Sequence, residues 1–235
     1  MDNKIPSGSA VMDKLLDGGY ETDSVTTIYG PAGTGKSTCC MLCAIDVAKS
    51  NKVIYIDTEG GFSVERFRQL CHGKDVKKML DKMLFLKPMN FEEQKKIMEK
   101  LPEMINSKIG LVIIDTISMH YRIEFGKKED FQETNKALAG QVANLIRIAR
   151  DKNVPVIVTN QVYASFDDKN KVNMVGGDIL KYGSKCLIEL QDIGNAKRKA
   201  VLKKHRSLAE NREICFEITE EGFSEVREDK KLRLF

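Results

Sequence analysis

Five short apolar, largely β-branched runs punctuate the chain, separated by stretches whose apolar residues recur every three or four positions. The runs are Val25-Thr26-Thr27-Ile28-Tyr29, Val53-Ile54-Tyr55-Ile56-Asp57, Met83-Leu84-Phe85-Leu86, Leu111-Val112-Ile113-Ile114-Asp115 and Val154-Pro155-Val156-Ile157-Val158-Thr159. Unbroken apolarity over such lengths marks strands buried on both faces, as in a parallel sheet. Between them, Ile97, Leu101, Met104 and Ile105 form one helical face, and Leu138, Val142, Leu145, Ile146 and Ala149 another. Asn90 with Glu93 reads as a capping box, and Pro102 is expected to kink or split the helix that follows.

The two ends read differently. Residues 1–22 form an entry segment: a turn at Ile5-Pro6-Ser7-Gly8, then a short helix through Val11, Leu15 and Leu16 that Gly18-Gly19 stops. In residues 184–235, Cys186–Leu190, Lys199–Lys203 and Ile214–Ile218 follow one another with no long helix between, so antiparallel additions to the sheet are expected. The pattern predicts one α/β domain over 1–235. Its sheet is twisted and mostly parallel, is flanked by helices, and carries antiparallel strands at the C-terminal end.

Composition narrows this only a little. A chain of 235 residues buries a core without cross-links, and a net charge of +4 does not by itself demand a nucleic-acid partner. No apolar run approaches membrane-spanning length, and the first residues lack an apolar signal core, so a cytoplasmic protein is expected. Cys40 and Cys43 form a C-x-x-C inside a helical run with no second pair nearby, which favours buried thiols over a metal or redox site.

The chemistry starts at Gly30-Pro31-Ala32-Gly33-Thr34-Gly35-Lys36-Ser37, which matches the phosphate-binding loop G-x-x-x-x-G-K-[ST] between a strand and a helical run and, with Thr38, makes up the expected cofactor-binding stretch. Glycines let the loop turn its N–H groups inward, and the helix N-terminus adds positive charge at the same place. Lys36 is placed to reach the β- and γ-phosphates and the Ser37 hydroxyl to ligate magnesium. Asp115, at the tip of the most hydrophobic strand, is the second magnesium-holding group, acting through water. ATP with Mg2+ is the expected cofactor. A GTPase is disfavoured because Asn135-Lys136-Ala137-Leu138 lacks the aspartate that reads guanine.

Around this centre lie further candidates. Glu59 sits in a polar turn at a strand end beside the loop, where a carboxylate can orient and deprotonate water. Gln161 ends another strand before an irregular stretch, and a neutral amide there can change partners with phosphate. Residues 116–130 form a polar, irregular stretch with Tyr121, Arg122, Lys127 and Lys128, groups able to stack and to contact phosphate, and 163–177 form a second, in which Asp167 and Asp168 offset Lys169 and Lys171. The acid-free run 197–206 could grip a DNA backbone through Lys197, Arg198, Lys199 and Lys203, or be a lysine-protected edge strand.

These residues together resemble the core ATPase of the RecA-type recombinases, in their archaeal and eukaryotic branch. The likeness covers nearly the whole chain. It rests on Ile5–Gly8, the phosphate loop, Tyr55-Ile56-Asp57-Thr58-Glu59-Gly60, Glu65-Arg66, Leu111–Asp115 and Thr159-Asn160-Gln161-Val162. The resemblance implies that Glu59 activates the attacking water, that Arg66 stacks on adenine, that Gln161 senses the γ-phosphate, and that 116–130 and 163–177 are the two DNA-binding loops. Lys204-His205-Arg206 resembles a triplet that clock-type ATPases set against a neighbour's nucleotide. About twenty residues precede the first strand, without the family's aromatic-x-x-alanine assembly element. A monomer or small homo-oligomer is therefore expected rather than a stable filament. Short members of this type imply a regulator or mediator of recombination. It would bind ATP and single-stranded or branched DNA, hydrolyse ATP very weakly, and work beside the main recombinase and a junction resolvase. A full strand-exchange enzyme and a ring-forming signalling ATPase are the alternatives.

Overall fold

The computed structural model describes residues 4–125, 131–164 and 172–226. An entry unit comes first: β1 (Lys4–Ile5) and β2 (Tyr20–Glu21) pair antiparallel around α1 (Ala10–Leu16). Ser9 caps α1, and Asp17 ends it in the left-handed conformation. The alternating body follows as β3 (Val25–Tyr29), α2 (Lys36–Val47), β4 (Lys52–Asp57), α3 (Val64–Leu70), α4 (Val76–Leu80), β5 (Met83–Leu86), α5 (Phe91–Met104) and β6 (Ile109–Asp115). It continues as α6 (Met119–Phe125), α7 (Phe131–Lys152), β7 (Val156–Asn160), the small hairpin of β8 (Val162–Ala164) and β9 (Val172–Met174), and α8 (Gly177–Gly183). The chain closes with β10 (Cys186–Gly194), β11 (Lys197–Lys204), β12 (Glu213–Thr219) and β13 (Gly222–Glu225).

The main sheet runs β13-β12-β11-β10-β3-β7-β6-β4-β5. One core packs α1 and α2 on one face, with Tyr55, Ile113 and Ile188 turned toward them; the other packs α5 and α7 on the opposite face, with Ile54, Val112 and Val158. This two-sided burial accounts for the unbroken apolar runs. All six cysteines are free and buried, as expected. Among the described residues, no helix is long and apolar enough to cross a membrane.

Three local expectations change. β10 is parallel to β3, with Cys186 opposite Thr26 and Ile188 opposite Ile28, and the antiparallel additions to the main sheet begin at β11. The unforeseen helix α8 provides the return that a parallel neighbour needs. Second, Pro102 does not split α5, which continues through it to Met104. A proline there deprives the Met98 carbonyl of its helical donor, and the side-chain amide of Asn144 on α7 donates to that carbonyl instead. Third, 116–130 is not wholly irregular, because α6 lies within it.

Candidate nucleotide site and nucleic-acid surface

The loop between β3 and α2 is shaped by its glycines. Gly30, Gly33 and Gly35 have φ of 154°, 74° and 101°. A Cβ on Gly30 would lie 2.2 Å from the Leu190 carbonyl oxygen, and one on Gly35 would sit 3.1 Å from the Phe223 ring. At Gly33 a Cβ would meet nothing within 4 Å. Gly35 caps α2 without a side-chain hydrogen bond, which leaves the first N–H groups of the helix for a ligand. Lys36 Nζ donates to the Gly30 and Pro31 carbonyls, each at 2.8 Å, and Thr34 Oγ1 donates to Pro31 at 2.8 Å. Burial pushes the Lys36 pKa down, opposed by the charges of Asp115 and Glu59.

Adjacent strand tips complete the site. The Asp57 carboxylate accepts from the Gly61 and Phe62 N–H groups at 3.1 and 3.2 Å, folding the turn that presents Glu59. Thr58 Oγ1 donates to the Thr116 carbonyl at 2.6 Å and accepts from the Thr116 N–H at 2.9 Å, locking the tip of β4 to that of β6. Asp115 is held on both oxygens, by Tyr55 OH at 2.8 Å and Thr159 Oγ1 at 2.6 Å. Glu59 Oε1 accepts from Thr116 Oγ1 at 3.0 Å and from Gln161 Nε2 at 2.5 Å. The result is a cleft of about 420 Å³ whose lining includes Gly33, Lys36, Ser37, Glu59, Asp115 and Gln161. Main-chain amides, one ammonium, one hydroxyl and two acids around an open glycine turn fit a magnesium–triphosphate group.

The structure thus brings Gly30, Ala32, Gly33, Gly35, Lys36, Ser37 and Thr38 together with Asp115, Glu59 and Gln161, while Pro31 and the buried Thr34 shape the loop without lining the cleft. Arg66 stands apart from the lining. Its guanidinium donates to the Thr219 carbonyl at 2.7 Å and to Glu220 O and Gln69 Oε1 at 3.1 and 3.0 Å. Burial lowers its pKa. Sequence reasoning passed over Asp57, Thr58, Tyr55, Thr116 and Thr159, which aim the acids; polar residues at strand tips were the available signal. It also passed over Ile218, which lines the cleft from the distant β12.

The DNA candidates divide. Tyr121 is corrected: it is 5% exposed, packs against Phe91 and Phe125, and donates to Asn135 Oδ1 at 2.6 Å, so its ring is not offered to a base. Arg122 is exposed on α6, while Lys127, Lys128 and 165–171 lie outside the described residues. The basic run forms β11, and much of its charge is met internally. Arg198 pairs with Asp192 at 3.1 Å, Lys199 with Glu213 at 3.5 Å and Lys203 with Glu189 at 3.7 Å, while Lys197 is half-buried. The triplet is engaged within its own chain. Lys204 Nζ donates to the Lys181 carbonyl, the His205 side chain is buried, and Arg206 grips Asp23 and Glu21 at 2.6 and 2.8 Å.

A parallel sheet with a glycine loop at its C-terminal edge and acids on neighbouring strand tips defines a RecA-like nucleoside-triphosphatase core. Residues 3–226 match the Rad51 family. The proteins named DNA repair and recombination protein RadB from Methanobrevibacter smithii and Thermococcus sibiricus are 41% and 38% identical, over 94% and 96% of this chain and 95% and 97% of theirs. A solved structure described as the crystal structure of the RadB recombinase superposes with a TM-score of 0.79 at 33% identity, covering 94% of this chain and 99% of that one. The chain belongs to the Rad51 family and, within it, to the RadB proteins of DNA repair and recombination.

Proposed function

We propose that the chain is an ATP-binding, DNA-binding regulator of homologous recombination, hydrolysing ATP slowly with magnesium and performing no strand exchange of its own. The carrying observation is the hydrogen bond from Gln161 to Glu59, which joins the water-activating position to the strand that leads into the β8–β9 hairpin. Bound ATP with Mg2+ supplies a cleavable phosphoryl group and a divalent charge. The amides of residues 33–36 and the Lys36 ammonium bind the phosphates, and Ser37 and Asp115 hold the metal. Glu59 orients a water and accepts its proton. Thr116 and Gln161 both donate to Oε1, which leaves Oε2 as the oxygen that faces the water.

Gln161 is also the relay. Its carbonyl accepts from the Val175 N–H at 3.2 Å, and Asn160 Nδ2 donates to the Val175 carbonyl at 2.9 Å. A change of partner at the Gln161 amide therefore reaches both strands of the hairpin and the start of α8. DNA, single-stranded or branched, is the ligand whose grip this alters. The main recombinase and a junction resolvase are the protein partners, met by a monomer or small homo-oligomer in the cytoplasm.

The test is DNA affinity across a salt series with and without ATP, together with hydrogen exchange at 162–175. ATP is expected to change both, and Lys197→Ala/Lys199→Ala/Lys203→Ala to flatten the salt dependence. Unchanged affinity and unchanged exchange would sink the switch. Brisk hydrolysis stimulated by single-stranded DNA would favour the strand-exchange reading.

A further inference from the structure

Arg198 was a candidate for DNA, but the fold sends it elsewhere. β10 pairs with β3 only as far as Glu189 opposite Tyr29, then continues to Gly194 alongside the phosphate loop. The β10–β11 turn is tight, with φ of 80°, 51° and 59° at Gly194, Asn195 and Ala196, and the register slips between Asp192 and Gly194. Irregularities of this kind re-aim side chains next to functional sites. Here Arg198 is the cross-strand partner of Asp192. Its Nε donates to the Gly33 carbonyl at 3.3 Å, and one terminal nitrogen donates to Asp192 Oδ1 at 3.1 Å. Asp192 Oδ1 also accepts from the Gly194 N–H at 2.9 Å, so the carboxylate is fixed by the same turn.

We infer that Arg198, oriented by Asp192, is a positioning residue for the nucleotide: it clamps the crown of the phosphate loop from outside. Around Gly33 the loop is open on its side-chain side, with nothing within 4 Å of where a Cβ would begin. The arginine bond restrains the loop at this open position through its carbonyl. It holds the Gly33 carbonyl outward, and a cation on that oxygen strengthens donation by the N–H of the same peptide unit, that of Thr34. A lysine in the same place would keep the charge but lose the fork that spans carbonyl and carboxylate.

This rests on the ATP-binding reading, and the experiment separates the two. Binding of ATP and of ADP is titrated with the full chain, its Lys36→Ala variant, Arg198→Ala, Arg198→Lys, Asp192→Asn and the Asp192→Asn/Arg198→Ala pair, at low salt and at about 0.5 M, where the Debye length is well below ~10 Å. Exchange at residues 32–35 is measured without nucleotide. Both Arg198 variants are expected to lose about five- to tenfold in affinity for both nucleotides at either salt. Their 32–35 amides are expected to exchange faster, and the double variant to bind no worse than Arg198→Ala. The clamp is overturned if Arg198→Lys binds and exchanges like the parent, if the loss vanishes at high salt, or if only ATP is affected. A parent that binds no adenine nucleotide overturns the ATP reading itself, whereas nucleotide-free exchange still judges the clamp.

Discussion

Gln161 Nε2 donates to Glu59 Oε1 at 2.5 Å across 102 positions of sequence. The two residues leave the tips of β7 and β4, with the Asp115 tip of β6 between those strands. If Glu59 is the proton acceptor, Glu59→Gln lowers the hydrolysis rate by about 10²–10⁴-fold while ATP still binds. Gln161→Ala abolishes the ATP-dependent difference in DNA affinity without preventing ATP binding. Steady-state phosphate release and DNA titrations check the pair.

Lys36 separates function from stability. Its pKa is lowered in the fold, so the charged form costs stability at every pH below the folded-state value and the cost fades above it. Lys36→Met therefore leaves the nucleotide-free melting temperature at neutral pH unchanged, or raises it by about 2–4 °C, the shift ~1 kcal/mol gives a chain of this size. ATP binding is lost in the same variant. Calorimetric scans with and without ATP provide the check.

The Asp23–Arg206 pair gives a pH signature. The Arg206 hydrogen bonds hold Asp23 below the usual carboxylate pKa. Its contribution is therefore present above the unfolded value of about 3.9 and is lost as pH falls through the folded value. Both groups are about one-third exposed, so Asp23→Asn costs at most about 1 kcal/mol at neutral pH. The difference from the parent should disappear in urea titrations run below the folded-state pKa.

Pro102 and Asn144 form a compensating pair. Asn144→Ala leaves the carbonyl of buried Met98 without a donor and should cost about 1–3 kcal/mol. Pro102→Ala restores the helical N–H to that carbonyl. In the Pro102→Ala background, the Asn144→Ala penalty should shrink to a fraction of its size. Additive losses in a double-mutant cycle would contradict the account.

Tyr121 is structural. Tyr121→Phe removes its bond to Asn135 and should cost about 0.5–1.5 kcal/mol, with DNA affinity unchanged. Reduced DNA affinity without lost stability would restore the base-stacking role.

The amino-acid order by itself determined what is local. Gly30–Ser37 announced a phosphate loop because its glycines, lysine and serine act within one turn, and the buried runs announced strands because burial on both faces leaves only apolar residues. Tertiary structure decided the rest. One buried strand reads like another, so nothing in the pattern said that β7, β6 and β4 lie side by side and bring Gln161, Asp115 and Glu59 to one edge. Nor could charge counting say that Arg198 faces a loop carbonyl and Asp192, because the partners of a charged side chain are chosen by strand register, which only the folded sheet sets.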